Sequence, residues 1–352
     1  MFLYKVFLWI SWVLFLNSNM VHSGRIVGNI IRKNSNIAYN NLYEKLYITS
    51  NRINNPNCNF EITPTNNEQC VINNKNNLVY CENDKELFLE ENNFIRDKKL
   101  ISISPGGLKG FYELGVLSFI KDNYDMENYI FSGASAGAWN ALFMCYKNDN
   151  KKFVYTLMKD LKLLRVKSIK ELEYVLKYNL LTKYNTSEFD LRRLFIGVTS
   201  IPNFKPTTNI FSDFNSLEDA INCCIASSHI PLITGGITNR YHDMYTFDGG
   251  FSQYPYLNFT ENVLHITPGM WKNNEIKIAD KNKLINKFAS LNIIVELFMM
   301  RKNRNYMELF DNGYADAKKN KHLLDEIFMK IENNNTIEVN NTTEHINSTD
   351  LY

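Results

Sequence analysis

Apolar positions along the chain alternate between short runs and helical faces. Lys99 to Ser104 is a short apolar run closed by Pro105-Gly106-Gly107, and Leu108 to Lys121 then carries Phe111, Leu114, Val116, Leu117, Phe119 and Ile120 nearly all round. The first reads as a strand and the second as a helix buried on most faces. The unit recurs: Tyr129-Ile130-Phe131 reads as a strand, Gly133 to Gly137 as a break, and Ala138 to Tyr146 as a second buried helix. Strand, glycine turn and helix in repetition predict an α/β protein, its parallel sheet covered by helices. Phe153 to Leu194 is helical and rich in Lys and Leu. Ile210-Phe211 followed by Ser216 to Ala226 gives another strand and helix, while Met244 to Phe247 and Val263 to Thr267 are further strands. Leu284, Phe288, Leu291, Val295 and Phe298 mark a helix face, and Tyr306 to Lys330 continues as helix.

Towards both ends the pattern fades. Met1 to Ser23 has a Lys at position 5, an apolar run from Val6 to Leu16, a polar break, and Val21-His22-Ser23. That is the order of a secretory signal peptide cleaved after Ser23, with an uncleaved anchor as the alternative. The run is shorter than the roughly 20 residues a spanning helix needs. Leu291 to Met300 is also too short, and Asn292 and Glu296 interrupt it. Residues 24–96 form an Asn-rich extension, loop-rich or partly disordered, in which Tyr43 to Ile48 is a short element. Residues 331–352 read as a disordered Asn/Thr-rich tail.

Composition narrows the picture. A chain of 352 residues that is 45% hydrophobic can build one substantial core. Lys and Arg number 39 against 37 Asp and Glu, and a net charge of +2 supplies no field that would draw nucleic acid. Cys58, Cys70 and Cys81 lie in the N-terminal extension, where two of the three could pair in a secreted protein, and spacing does not choose which. Cys145, Cys223 and Cys224 sit among apolar residues as small buried hydrophobes. No cysteine pair has metal-ligand spacing with a neighbouring His, so no metal or other cofactor is expected.

Three segments carry candidate chemistry. Gly133-Ala134-Ser135-Ala136-Gly137 is a G-x-S-x-G turn between an apolar strand and a helix, the context of a nucleophile elbow. Pro105-Gly106-Gly107-Leu108-Lys109-Gly110 ends the preceding strand at a helix start, where amides unobstructed by side chains can hold an oxyanion. Phosphate is the competing ligand for such a loop, but G-x-x-x-x-G-K-[ST] is not matched because Gly110 follows Lys109. Asp248-Gly249-Gly250 ends another strand and can aim a carboxylate at a serine on a neighbouring strand end. An ordinary Asp, with a pKa near ~3.9, would need burial to act as a base near neutral pH.

In this order the three segments resemble the patatin-like phospholipase family, with its G-G-G-x-[RK]-G loop, G-x-S-x-G elbow and D-G-[GA] motif. Gly106, Gly107, Lys109 and Gly110 match the loop, Gly133, Ser135 and Gly137 the elbow, and Asp248, Gly249 and Gly250 the third motif. Pro105 stands in place of the first glycine and has no amide N–H to offer. Ile225 to Leu232 and Gly313 to Ala317 are similar to further family segments, so the resemblance spans about Lys99 to Lys319. It implies a three-layer α/β/α fold with a central, mostly parallel sheet, and a catalytic domain over residues 97–330 including the C-terminal helices. It also implies a calcium-independent Ser135–Asp248 dyad, an oxyanion hole at Gly106, Gly107, Leu108 and Lys109, and a lipid acyl hydrolase acting on phospholipids or other glycerolipids at a membrane surface.

Two readings compete with a dyad. The order Ser135, Asp248, His265 suits an α/β-hydrolase triad, although His265 lies inside a strand-like run where a structural role is expected. The chain could also be an idle lipid-binding module on the same fold, which would need neither Ser135 nor Asp248. The Lys-rich Phe153 to Lys183 region could be simply solvated, lie against anionic headgroups, or cover the site as a lid.

Overall fold

The computed structural model describes residues 69–164, 168–201, 206–231, 233–252, 254–272 and 305–328. Met1 to Ser23, Tyr43 to Ile48, Cys58, the Leu284 to Met300 segments and the 331–352 tail lie outside the described residues. The chain divides into two units, residues 68–200 with 207–352 and residues 1–67 with 201–206. Of the second unit only residues 201 and 206 are described.

The first unit is an α/β fold with a mixed, mostly parallel central sheet flanked by helices. Its strands are β1 (Cys70–Asn73), β2 (Val79–Cys81), β3 (Lys99–Ile103), β4 (Tyr129–Ala134), β5 (Leu194–Ser200), β6 (Thr207–Ser212), β7 (Asn239–Tyr241), β8 (Met244–Phe247) and β9 (Asn262–Ile266). Among the described residues they form one nine-stranded sheet in the order β2-β1-β6-β5-β4-β3-β9, with β8 paired to β5 and β7 to β8. The run β5-β4-β3-β9 is parallel throughout. Every residue of β4 and β5 is buried, as expected of strands covered on both faces.

Helices α1 (Lys85–Glu91) and α2 (Asn93–Arg96) precede β3, and α3 (Gly110–Asn123) and α4 (Ala136–Met144) follow β3 and β4. Then come α5 (Asn150–Leu164), α6 (Ile169–Lys183), α7 (Leu217–Ser227) and α8 (Tyr306–Lys319). Helix α3 is apolar nearly all round because α8 covers its outer side, with Phe111 against Tyr306 at 4.7 Å and Phe119 against Tyr314 at 5.4 Å between ring centroids. The predicted continuous helix from Tyr306 to Lys330 stops at Lys319 and resumes over residues 321–328.

Three sequence expectations are corrected. The helical region drawn from Phe153 to Leu194 ends at Lys183, and Leu194 begins β5, a strand that the hydrophobic pattern did not separate from the helices before it. Short apolar runs do not reveal their state by periodicity alone. The strand at Tyr129 does not break at Gly133 but continues to Ala134. Residues 70–96, expected to be loop-rich, join the sheet through β1 and β2 and pack α1 and α2 beside it.

The Asn run in that hairpin is turn chemistry. Asn73 Oδ1 accepts the Lys75 N–H at 2.9 Å, Asn77 takes a φ of 56°, and Asn74 Nδ2 donates to Tyr241 Oη at 2.7 Å. Cys70 and Cys81 face each other across the hairpin and form a disulfide. Cys145, Cys223 and Cys224 are free and buried.

Candidate active site

The site is assembled on β5. Strand β4 runs parallel to β5 until Ala134 lies opposite Gly197, and β8 runs antiparallel along the same flank until Phe247 lies opposite Thr199. The two chains therefore approach each other head to head. The next residue of one is Ser135 and the next residue of the other is Asp248. Ser135 Oγ donates to Asp248 Oδ2 at 2.6 Å, across 113 positions of sequence.

Ser135 occupies the turn from β4 into α4 with φ 55° and ψ −126°, outside the regions a side-chain-bearing residue ordinarily adopts. Its surroundings hold it there. Its amide donates to Ser227 Oγ at 2.9 Å, and Ser227 Oγ in turn donates to the Gly197 carbonyl at 2.6 Å. Helix α4 must also double back tightly against β3 and β4. A Cβ on Gly137 would lie 2.2 Å from the Ile103 carbonyl oxygen, and one on Gly133 would lie 2.1 Å from that of Gly137, so both positions exclude any side chain.

Asp248 is anchored through four groups. Its N–H donates to the His229 carbonyl at 2.8 Å, and its own carbonyl accepts from Thr199 Oγ1 at 3.0 Å. Oδ1 accepts the Gly250 amide at 2.7 Å, which leaves Oδ2 for Ser135. Ser135 and Asp248 are each only 6% exposed. Burial with no cation beside it pushes the Asp248 pKa up to about 7, and the donors from Ser135 and Gly250 hold it from rising further.

The glycine-rich loop spans the space beside this pair. At one end Pro105 packs against Gly250, and at the other Gly110 packs against Ala136. Gly107 takes a φ of 52° and opens a short 3-10 turn, Gly107–Lys109. Lys109 N–H closes that turn on the Gly106 carbonyl at 3.0 Å, so the Gly107 and Leu108 amides lie ahead of its first bond, where a helical start leaves donors without intrahelical partners. Leu108 is buried in the core and Lys109 is partly buried.

Several residues around the site carried no sequence signal. Glu113 is fully buried beneath the loop, where Ser104 Oγ donates to Oε1 at 2.7 Å and Asn140 Nδ2 approaches Oε2 at 3.4 Å. Desolvation pushes its pKa up to about 8. Trp139 Nε1 donates to Ser228 Oγ at 3.1 Å, next to the Ser227 that holds the elbow. Helix α6 turns Leu172, Glu173, Asn179 and Leu180 inward and exposes Tyr174, Tyr178 and Leu181. A polar residue on a buried helix face is the signal that could have singled out Glu173, but which face is buried is not known until the helices are docked.

His265 is not part of this cluster. It lies on β9 opposite Ser102 of β3, and its Nδ1 is 2.8 Å from Ser102 Oγ. With Ser135 bonded directly to Asp248, no imidazole stands between them. An open groove of about 350 Å³ lined by Asp219, Asn222, Ile225, Asn239, Arg240, Tyr241 and His242 contains none of the candidate site residues. Among the described residues no cluster of three or more His, Cys, Asp or Glu side chains could hold a metal ion, and no helix is long and apolar enough to cross a membrane.

Residues 101–257, which include the glycine-rich loop, Ser135 and Asp248, match the family model of the patatin-like phospholipases. Over this stretch the chain is similar to the patatin-like phospholipases. Members of that family are generally serine hydrolases. The chain is similar to VipD from Legionella pneumophila, at 15% identity and a TM-score of 0.30 over 48% of this chain and 49% of that one. It is also similar to a chain of the heterodimeric ExoU–SpcU complex from the type III secretion system of Pseudomonas aeruginosa, at 13% identity and a TM-score of 0.32 over 66% of this chain and 52% of that one. The chain thus spans about half the length of these two proteins. No curated protein sequence matches it.

Proposed function

We propose that this protein is a phospholipase A-type lipid acyl hydrolase that cleaves acyl esters of glycerophospholipids through a covalent acyl-enzyme on Ser135. The observation that carries the reading is the 2.6 Å hydrogen bond from Ser135 Oγ to Asp248 Oδ2, made from a positive-φ elbow. Asp248 accepts the hydroxyl proton as Ser135 attacks the ester carbonyl. The oxyanion is held by amides of the Gly106, Gly107, Leu108 and Lys109 segment, and the departing alcohol takes the proton back from Asp248. Water then attacks the acyl-enzyme with the same base. A carboxylate with a pKa near 7 suits this task, because it is a far stronger base than an ordinary Asp and yet is ionised above neutrality.

The direct contact between Ser135 and Asp248, with His265 bonded to Ser102 instead, favours a dyad over a triad. Passage through the secretory pathway is a further part of the proposal, supported by the leader-like Met1 to Ser23 and by the Cys70–Cys81 disulfide. Sequencing the N-terminus of the mature protein checks it, and a product that starts at Met1 rules out cleavage.

The main test is labelling by a fluorophosphonate probe, followed by incubation with a panel of phospholipids, lysophospholipids and triacylglycerols. Wild type should label and release fatty acid, Ser135→Ala should do neither, and His265→Gln should keep activity. A folded wild type that refuses the probe would instead support a lipid-binding module without catalysis. Loss of activity in a folded His265→Gln variant would restore the triad.

A further inference from the structure

The site holds a second carboxyl that the dyad does not use. Glu173 lies on the inward face of α6, the helix that follows α5 in the Lys-rich region, and it is only 7% exposed. It reaches Ser228, whose hydroxyl already donates to the Cys224 carbonyl at 2.7 Å and accepts from Trp139 at 3.1 Å, and it lies close enough to Asp248 for the two charges to interact. Ser228 adjoins Ser227, which holds the Ser135 amide. Glu173 Oε1 is buried and has no hydrogen-bond partner among the described residues. A buried oxygen left unmatched is uncommon in folded proteins and calls for a reason.

We propose that Glu173 is a third functional side chain of the site, a neutral carboxylic acid whose O–H donates a hydrogen bond to the ester substrate, or to its departing alcohol, beside Ser135. This rests on the dyad reading and adds to it a substrate-contacting group supplied by the covering helix.

The protonation states follow from the surroundings. Burial raises both carboxyls, Asp248 to about 7 against the donors from Ser135 and Gly250, and Glu173 to about 8, where contact with Ser228 opposes the rise and the neighbouring Asp248 charge adds to it. Two carboxyls pushed apart in this way can divide base and donor between them. The charged and titratable groups around it, among the described residues, are otherwise engaged or neutral. Cys224 on α7 is buried and its thiol pKa is raised, so it stays neutral. His229 is held uncharged by burial and turns its ring to Thr234. Lys177 on α6 is bound by Asn222 and Glu218 of α7, and Asp160 of α5 is bound by Lys183.

The inference is tested by hydrolysis of a dispersed diacyl phosphatidylcholine, whose leaving group is an alkyl alcohol, across pH, with wild type, Glu173→Gln, Glu173→Ala and Ser135→Ala, each checked by thermal melting. Wild-type kcat/KM should be bell-shaped, rising through about 7 as Asp248 ionises and falling through about 8 as Glu173 loses its proton. Glu173→Gln keeps an N–H donor and cannot ionise, so it should retain neutral activity within about threefold and lose the alkaline limb, whereas Glu173→Ala should lose roughly two- to fifteenfold at every pH. A Gln variant that keeps the wild-type alkaline limb overturns the assignment while leaving the dyad intact. A wild type with no Ser135-dependent hydrolysis overturns both. Should the variants fail to fold, the pH dependence of phosphatidylcholine hydrolysis by wild type decides, since a rate that does not decline above about 8 overturns the role for Glu173.

Discussion

Two buried carboxyls border the glycine-rich loop, and they have opposite fates. Glu113 touches the underside of the loop, where a Cβ on Gly106 would lie 2.9 Å from its Oε2, and Asp248 lies where Gly250 meets Pro105 at the loop's other side. Neither has a cation beside it, and burial raises both, Glu113 to about 8 and Asp248 to about 7. The difference lies in what they accept. Asp248 takes a backbone amide at 2.7 Å and the Ser135 hydroxyl at 2.6 Å, which favour its anion, whereas Glu113 has one short donor, Ser104, and a long one from Asn140. Burial alone makes a carboxyl reluctant to ionise. The donors each one accepts oppose that reluctance.

The largest expected effect separates the two carboxyls directly. Asp248→Asn should lower kcat by about 10²–10⁴-fold, the range for removal of a general base, without lowering the melting temperature, because it deletes a charge that burial disfavours. If it unfolds the protein instead, Asp248 is a structural group like Glu113. Next comes Glu113→Ala, which strands Ser104 and Asn140 and opens a cavity under the loop. It should cost about 2–4 kcal/mol and lower kcat by roughly 10- to 100-fold with little change in KM, as the oxyanion donors shift. Chemical denaturation and steady-state kinetics check both parts.

Ser227→Ala tests the opposite flank. It leaves the Ser135 amide and the Gly197 carbonyl unmatched, and it should cost about 1–3 kcal/mol and roughly tenfold in labelling rate, because the elbow is then less firmly held. The smallest effect is that of Glu113→Gln, which should keep activity within about threefold yet change how stability depends on pH. Because the folded pKa of Glu113 lies above its ordinary 4.5, its contribution to stability is complete below 4.5 and is lost as pH rises through about 8. Gln cannot ionise, so the variant should gain melting temperature relative to wild type on going from about pH 5 to about pH 8. A constant difference across that range would mean that Glu113 is ionised in the native protein.

The legibility of this fold in its sequence was uneven, for identifiable reasons. Strand β3, helix α3 and helix α4 announced themselves because apolar runs and apolar helix faces are local patterns. Strand β5, the template on which Ser135 and Asp248 converge, was missed. Its Leu-Phe-Ile-Gly-Val-Thr-Ser run is short and follows a Leu-rich helical stretch, with no local signal to divide the two. The β1–β2 hairpin was hidden by its own turn, since Asn73 to Asn77 has the composition of disorder and the function of a tight reversal.

What the sequence determined by itself is the set of local conformations and reactive types: a serine between glycines at a strand-to-helix turn, a glycine loop at a helix start, and an aspartate before two glycines. Each depends on backbone freedom within a few residues, which sequence encodes directly. The meeting of Ser135 and Asp248, the raised basicity of Asp248, the strut at Glu113 and the burial of Glu173 were decided only by tertiary structure. Those properties come from long-range strand pairing and from the exclusion of water, and no single segment of the chain possesses either until the sheet has formed and its helices have closed around it.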